Sequence, residues 1–206
     1  MSGSRDIRRI DGYDDPRFSR AVLWQHGAFL VDGNPCEVEI TGPDSALVRC
    51  AAEVRGALID AFRFYAEHIT RFFDASGALI AEFAPVARFD APLDAIQPSQ
   101  FFVDAEKLAA VSRFVRAPED IVVPLVPYGE RFVSLDGHTR LALTAARGWA
   151  AVKGFVAQSD DWVAVFVREA ERRGVRAPGD LTVLPHGEYE EKWERYCDAV
   201  FTTQAP

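Results

Sequence analysis

The sequence has little cysteine, a deficit of basic charge and no long apolar run. Its three cysteines, Cys36, Cys50 and Cys197, show no CxxC spacing. That argues against a disulfide framework and against a zinc site, and leaves three small apolar side chains as the plain reading. Lysine and arginine total 23 against 31 acids, a formal net charge of −8. Coating DNA through its phosphates calls for a basic face, so DNA is not an expected partner. A small anion is a different matter, because a few arginines and one helix N-terminus suffice. No apolar run reaches the roughly 20 residues of a membrane-spanning helix. The start, Met1 to Ile10, carries charges with no apolar signal core behind them. The expectation is a soluble, cytoplasmic protein without a membrane partner. Neither internal repeats nor low-complexity segments are present, and His26, His68 and His186 show no metal-ligand spacing such as HxxxH.

What is there is an ordinary globular composition, 49% hydrophobic and 26% charged over 206 residues. That is enough for one large domain or two small ones. Residues 1–18 are polar, with a turn cluster at Asp11–Pro16, and read as a loose arm. Ala21–Trp24, Ala28–Val31 and Cys36–Ile40 are short apolar segments punctuated by Gln25–Gly27, Asp32–Pro35 and Thr41–Ser45, which are strand and hairpin signals. Glu53–Phe73 fits two patterns. Leu58, Ile59, Phe62, Tyr65, Ile69 and Phe72 make a helical stripe, whereas Phe62, Phe64 and Ala66 alternate; strands are the expectation after Phe62. A hairpin follows through Asp74–Gly77 and Ala78–Ile80.

The second half alternates more clearly between strand and helix. Leu93–Ile96 reads as a strand. Asp104 caps a helix carrying Leu108, Ala109, Val111 and Val115, ended by Pro118. Ile121–Val126 is a buried strand whose proline suits an edge or a bend. Arg131–Leu135 is the next strand, Asp136–Thr139 a loop, Arg140–Arg147 a short helix stopped by Gly148, and Ala151–Val156 a strand. Asp160 or Asp161 caps a helix through Trp162, Phe166 and Ala170. Pro178–Leu181 is a turn, and Glu188–Phe201 a last helix with Trp193, Cys197 and Val200 on one stripe. The expected class is α/β of the α+β kind: a mixed sheet with helices, a β-rich N-terminal half and C-terminal helices.

One segment carries chemistry: a strand, then Leu135-Asp136-Gly137-His138-Thr139-Arg140-Leu141, then a short helix, Gly148 and another strand. Gly137 lets backbone approach a ligand. The N–H groups that open a helix are unpaired, and the dipole there favours negative charge. Arg140 can fork onto phosphate oxygens. Thr139 can cap the helix or donate to phosphate. Asp136 can hold a metal ion or accept a hydroxyl proton, and His138 can donate to phosphate or move a proton. Against this stands a plain turn, since Asp-Gly is a common turn and Thr-Arg a common helix start.

The order of elements around this turn resembles the ParB/sulfiredoxin superfamily. Ile96-Gln97-Pro98-Ser99 precedes a helix, Val123-Pro124-Leu125 follows in a strand, and Asp136-Gly137-x-x-Arg140 is similar to the turn of its small-molecule members, free-serine kinases among them. The likeness covers roughly 60 residues by element length. It implies a nucleotide-phosphate core over 91–157; outside it lie 1–90, β-rich and of unknown role, and 158–206, a helical extension. It implies phosphates held by Gly137, His138, Thr139 and Arg140, with Asp136 and His138 catalytic and Asp136 the Mg²⁺ ligand. Gln97, Ser99 and Gln100 would then line the pocket of a small-molecule acceptor. Two departures matter. Gln100 stands where free-serine kinases carry a carboxylate base, and Thr139 stands where they carry a histidine. The turn has no cysteine, which excludes sulfiredoxin chemistry.

Two functions are therefore expected. One is a nucleotide-dependent phosphotransferase or hydrolase, kinase-like, using ATP or another nucleotide with Mg²⁺. The other is a nucleotide-binding regulatory protein without fast catalysis, meeting a protein partner through its acidic surface or a nucleic acid through Arg168, Arg172 and Arg173. The acceptor, the base and the oligomeric state, a homodimer included, stay open. Glu119-Asp120 and Asp160-Asp161 read as helix-end turns and caps, with metal binding an alternative for the latter pair.

Overall fold

A computed structural model describes residues 5–10, 12, 14–159 and 163–204. It has mixed α/β content, the α+β class expected. The chain divides into two compact units, Met1–Val86 and Ala87–Pro206.

The first unit is a six-stranded sheet in the order β1-β2-β3-β4-β5-β6. Its elements are β1 (Ile7–Arg9), α1 (Arg20–Trp24), β2 (Ala28–Val31), β3 (Asn34–Ile40), β4 (Ser45–Arg49), α2 (Arg55–Arg63), β5 (Arg71–Asp74) and β6 (Leu79–Glu82). The β2–β3 turn has two residues, Asp32 and Gly33, with φ of 51° and 79°. Both must be left-handed for the turn to follow the strand twist. β4 and β5 are parallel, so α2 serves as their crossover. Leu58, Ile59 and Phe62 are buried along α2, and Phe62 meets Phe29 and Phe72 edge to face, with centroids 6.4 and 6.2 Å apart.

Three expectations need correction here. Residues 7–9 are an edge strand paired with β2, not a loose arm; Asp11 and Tyr13 of the turn cluster lie outside the described residues. Ala21–Trp24 is helical, because Ser19 accepts from the Val22 N–H and caps it. In the ambiguous stretch the helical stripe holds through Arg63, and the alternation after Phe62 does not form a strand: Phe64 is 81% exposed and regular pairing resumes at Arg71.

The second unit holds a five-stranded mixed sheet, order β7-β12-β10-β11-β8. Its elements are β7 (Arg88–Pro92), β8 (Ile96–Pro98), β9 (Phe102–Asp104), α3 (Ala105–Phe114), β10 (Val122–Tyr128), β11 (Arg131–Ser134), α4 (His138–Ala146), β12 (Ala151–Val156), α5 (Val163–Arg172), β13 (Thr182–Leu184), α6 (His186–Tyr189) and α7 (Arg195–Gln204), with a π-helical turn over Glu190–Glu194. Ile96, Ile121, Val123, Leu125, Leu141 and Val152 form its main core.

Leu93–Ala95 is a 3-10 turn and the strand starts at Ile96. Pro124 sits in the middle strand rather than at an edge. It stands opposite Phe155 of β12, but its carbonyl accepts from the Leu135 N–H, so the N–H it lacks would face the β11 side, one step past the last β10–β11 pair, Leu125↔Ser134, and no ladder bond is lost. β9 and β13 pair in parallel, a ladder of three residues each that the sequence pattern had not distinguished from helix cap and turn. The Asp160, Asp161 and Trp162 cap lies outside the described residues. The last helix starts at His186, ahead of the expected Glu188.

Candidate functional site

β11 ends at Ser134, and Gly137 opens α4 with φ 80° and ψ 18°. Any other residue there would strain the backbone, and a Cβ would stand 2.8 Å from Val123 Cγ1 and 3.2 Å from Arg140 Nη2. Gly137 offers no side-chain cap, and the first turn of α4 carries no acid. The N-cap residue thus supplies no cap to the opening N–H groups, and the dipole at such a helix start favours an anion.

Arg140 folds back over the glycine. Its Nη1 donates to the Val122 carbonyl at 3.0 Å, and its Nη2 stands 3.8 Å from Asp136 Oδ2. The Asp136 side chain is 61% exposed. Thr139 is half-buried in the first turn. Asp136, Thr139 and Arg140 therefore stand at the head of α4 beside the buried Gly137.

His138 faces the other way. It is 5% exposed, and its Nε2 lies 3.2 Å from the Ser99 N–H, the Ser99 Oγ and the Ser134 Oγ. The Ser99 hydroxyl itself donates to the Ser134 carbonyl at 2.7 Å. An amide N–H can only donate, so Nε2 is an acceptor and carries no proton. Burial drives the His138 pKa down to about 4, outweighing the pull of Asp136 upward. The imidazole is neutral near pH 7 and ties β8, β11 and α4 together. Ser134 was not evident as its partner from the sequence; the only trace is its spacing of four residues from His138 across the turn.

The three pocket candidates are also placed. Gln97 is fully buried; its Nε2 donates to the Val175 and Pro98 carbonyls at 2.9 Å while Oε1 is without a partner. Ser99 belongs to the His138 knot. Gln100 donates to the Phe102 carbonyl and, at 3.2 Å, to the Tyr189 hydroxyl. Gln97 and Gln100 thus hold the C-terminal segment, and only Ser99 is brought to the turn. A concavity of about 330 Å³ lies at the far end of α4, lined by Gly148, Trp149 and Lys153 among others.

Beside this region lies a second polar knot, of which the sequence showed the Asp104 cap but not its His186 partner. Asp104 is 3% exposed and serves two partners. Oδ1 accepts from the Glu106 and Lys107 N–H groups and caps α3, and Oδ2 meets His186 Nδ1 at 2.6 Å. Asp104 raises the His186 pKa above its ordinary value. Asp104→Ala is expected to cost about 2 kcal/mol in urea unfolding, roughly half of it the cap. Asp104→Asn, which keeps Oδ1, should recover that half. Equal losses in the two variants would refute the division.

Of the basic cluster, Arg172 and Arg173 both bond Glu169, at 2.7 and 2.6 Å, and the Arg173 guanidinium lies 4.2 Å from the Phe101 ring centroid. Among the described residues no group of three or more His, Cys, Asp or Glu side chains is placed to hold a metal ion, and no helix is long and apolar enough to cross a membrane.

No protein-family profile matches the sequence, and no curated protein is similar to it. Among solved structures the chain is similar to the crystal structure of protein Atu1540 from Agrobacterium tumefaciens, with a TM-score of 0.30 and 18% identity over 47% of this chain. It spans 53% of that protein. A likeness of that size carries neither fold nor function across.

Proposed function

We propose that the second unit binds a nucleotide through its phosphates at the Asp136–Arg140 turn, as the resemblance to ParB/sulfiredoxin-type sites implies, and acts as a nucleotide-responsive binding protein. The observation that carries this reading is the head of α4: a left-handed glycine with no capping side chain, and an arginine folded over it. Arg140 gives Nη1 to the Val122 carbonyl, and its Nε and the Nη2 held by Asp136 only at 3.8 Å can turn to a phosphate. The binding reading stands ahead of a catalytic one because His138 is buried, neutral and turned inward, and Gln100 carries no acid–base group.

A phosphotransferase or hydrolase is the second reading, and the exposed Asp136 carboxylate favours it. One carboxylate suits a Mg²⁺ carried in with the nucleotide, since that ion keeps phosphate and water ligands; it does not suit a resident metal. Such an ion would neutralise charge on the phosphates. Asp136 would hold it or take the acceptor's proton, and Arg140 would clamp the phosphate.

Thermal shift with ATP, ADP, CTP and GTP, each with Mg²⁺, tests both. At a large excess over Kd one nucleotide should raise Tm by roughly 5–10 °C. Arg140→Ala should abolish the shift, and a parental shift in that variant would end the shared premise. Asp136→Asn should keep the shift; if it also removes measurable turnover, the enzyme reading replaces the binding one.

A further inference from the structure

Cys36 lies in β3, and Cys50 directly follows β4. The two strands are antiparallel with Glu37 opposite Arg49 and Val38 opposite Val48. One further step of that register sets Cys36 opposite Cys50. The kind of pair follows from the ladder. The Thr41 N–H donates to the Ser45 carbonyl at 2.9 Å, so Thr41/Ser45 is a hydrogen-bonded pair, and alternation makes Cys36/Cys50 a non-hydrogen-bonded one. A bond on the other side agrees: the Val38 N–H donates to the Gly27 carbonyl of the neighbouring chain segment, so Val38 and Cys36 turn their amides away from β4.

In such pairs the Cα atoms are about 4.5 Å apart and the side chains share one face, within the roughly 4.4–6.8 Å that a disulfide spans. Both cysteines are free, and each thiol is close enough to influence the other's titration. Cys36 is 3% exposed within the sheet's core, and Cys50 is half-buried at its margin.

We propose that Cys36 and Cys50 form an oxidative modification site, a two-thiol pair that a peroxide closes to a cross-strand disulfide pinning β3 to β4. Cys50, the reachable thiol, attacks the peroxide as thiolate; the O–O bond breaks, a sulfenic acid forms on Cys50 and the other oxygen leaves as water or alcohol. Cys36 then displaces the sulfenic oxygen, which leaves as water with the Cys36 proton. Two thiols lose two electrons and two protons, and the peroxide is reduced. Burial pushes both thiols up, Cys50 to about 11. The thiolate is scarce near pH 7, so closure is slow there and accelerates with rising pH.

The test uses the full chain, reduced, treated with hydrogen peroxide, then unfolded, alkylated and mapped by mass spectrometry. The expected product has lost two hydrogens and yields a Cys36–Cys50 cross-linked peptide. Its Tm is higher by roughly 5–10 °C and returns on reduction. The closure rate should rise about tenfold between pH 7 and 8. Cys50→Ser, at the margin of the core, should abolish the product, and Cys197→Ala should leave it unchanged. Added oxygens on Cys50 with Cys36 still alkylated would overturn the proposal, as would linkage of either residue to Cys197.

Discussion

Replacing Gly27 by alanine should destabilise the first unit by at least about 3 kcal/mol, the upper end of what an overpacked core methyl costs. The added Cβ would stand 1.8 Å from the Val38 carbonyl oxygen and 2.9 Å from its carbon. Those are backbone atoms of the adjacent strand, so no rotamer change gives relief. Gly27 cannot retreat either. Its N–H donates to the Val22 carbonyl at 2.9 Å, and its carbonyl accepts from the Val38 N–H at 2.8 Å. Relief requires parting β2 from β3, which breaks that bond and opens the core at Phe29, Cys36 and Val38, each under 4% exposed. Gly33 supplies the control. Its φ is 79°, but nothing lies within 4 Å of an added Cβ, so Gly33→Ala should cost only about 1–2 kcal/mol for the left-handed backbone. Trp24 is the one tryptophan among residues 1–86, and its fluorescence in urea reports the midpoint. Equal midpoints for the two variants would refute the steric account.

The same glycine shows where sequence reading stops. Gln25-His-Gly27 is legible as a break between apolar segments, but that Gly27 must be bare because another strand's carbonyl touches it depends on β3 pairing. Elements whose signal is local were legible: β2, β3, β11, β12, the Asp104 cap of α3 and the Gly148 stop of α4. Elements stabilised by a partner far along the chain were not. β1 is a polar edge strand held by β2, and β9 with β13 is a short ladder whose partners lie 80 positions apart, as Phe102 and Thr182 do. α1 is five residues long and amphipathic over too short a span to separate from a strand. At the candidate site the turn, Gly137 and Arg140 were visible as a pattern. The inward turn of His138 was not, because nothing in the motif says that Ser99 and Ser134 will meet it.

That inward turn has a large consequence in acid. As pH falls from 6.5 to about 4, the second unit should lose about 3 kcal/mol of stability through His138 alone. Its folded-state pKa is depressed from 6.5 to about 4 by burial. Between those values the unfolded chain takes up a proton that the native state refuses. The contribution is therefore fully present above pH 6.5 and drains away as pH falls through the window. Protonation would also convert Nε2 from acceptor to donor, setting it against the Ser99 N–H at 3.2 Å. His186 works in the opposite sense. Its folded pKa is raised, first by Asp104, so its contribution is complete below pH 6.5 and is lost as pH rises through the folded value. The two histidines' contributions together are largest close to the ordinary histidine value. His138→Gln keeps an acceptor near the Ser99 N–H but cannot titrate. It should lower stability at pH 7 by about 1–2 kcal/mol and flatten the slope between pH 6.5 and 4. Urea unfolding across that range, in a Trp24→Phe background so that only second-unit tryptophans report, measures both. A parental slope in His138→Gln would refute this account, because carboxylates such as Glu169, held down to about 2 by Arg172 and Arg173, lose their contribution only at lower pH.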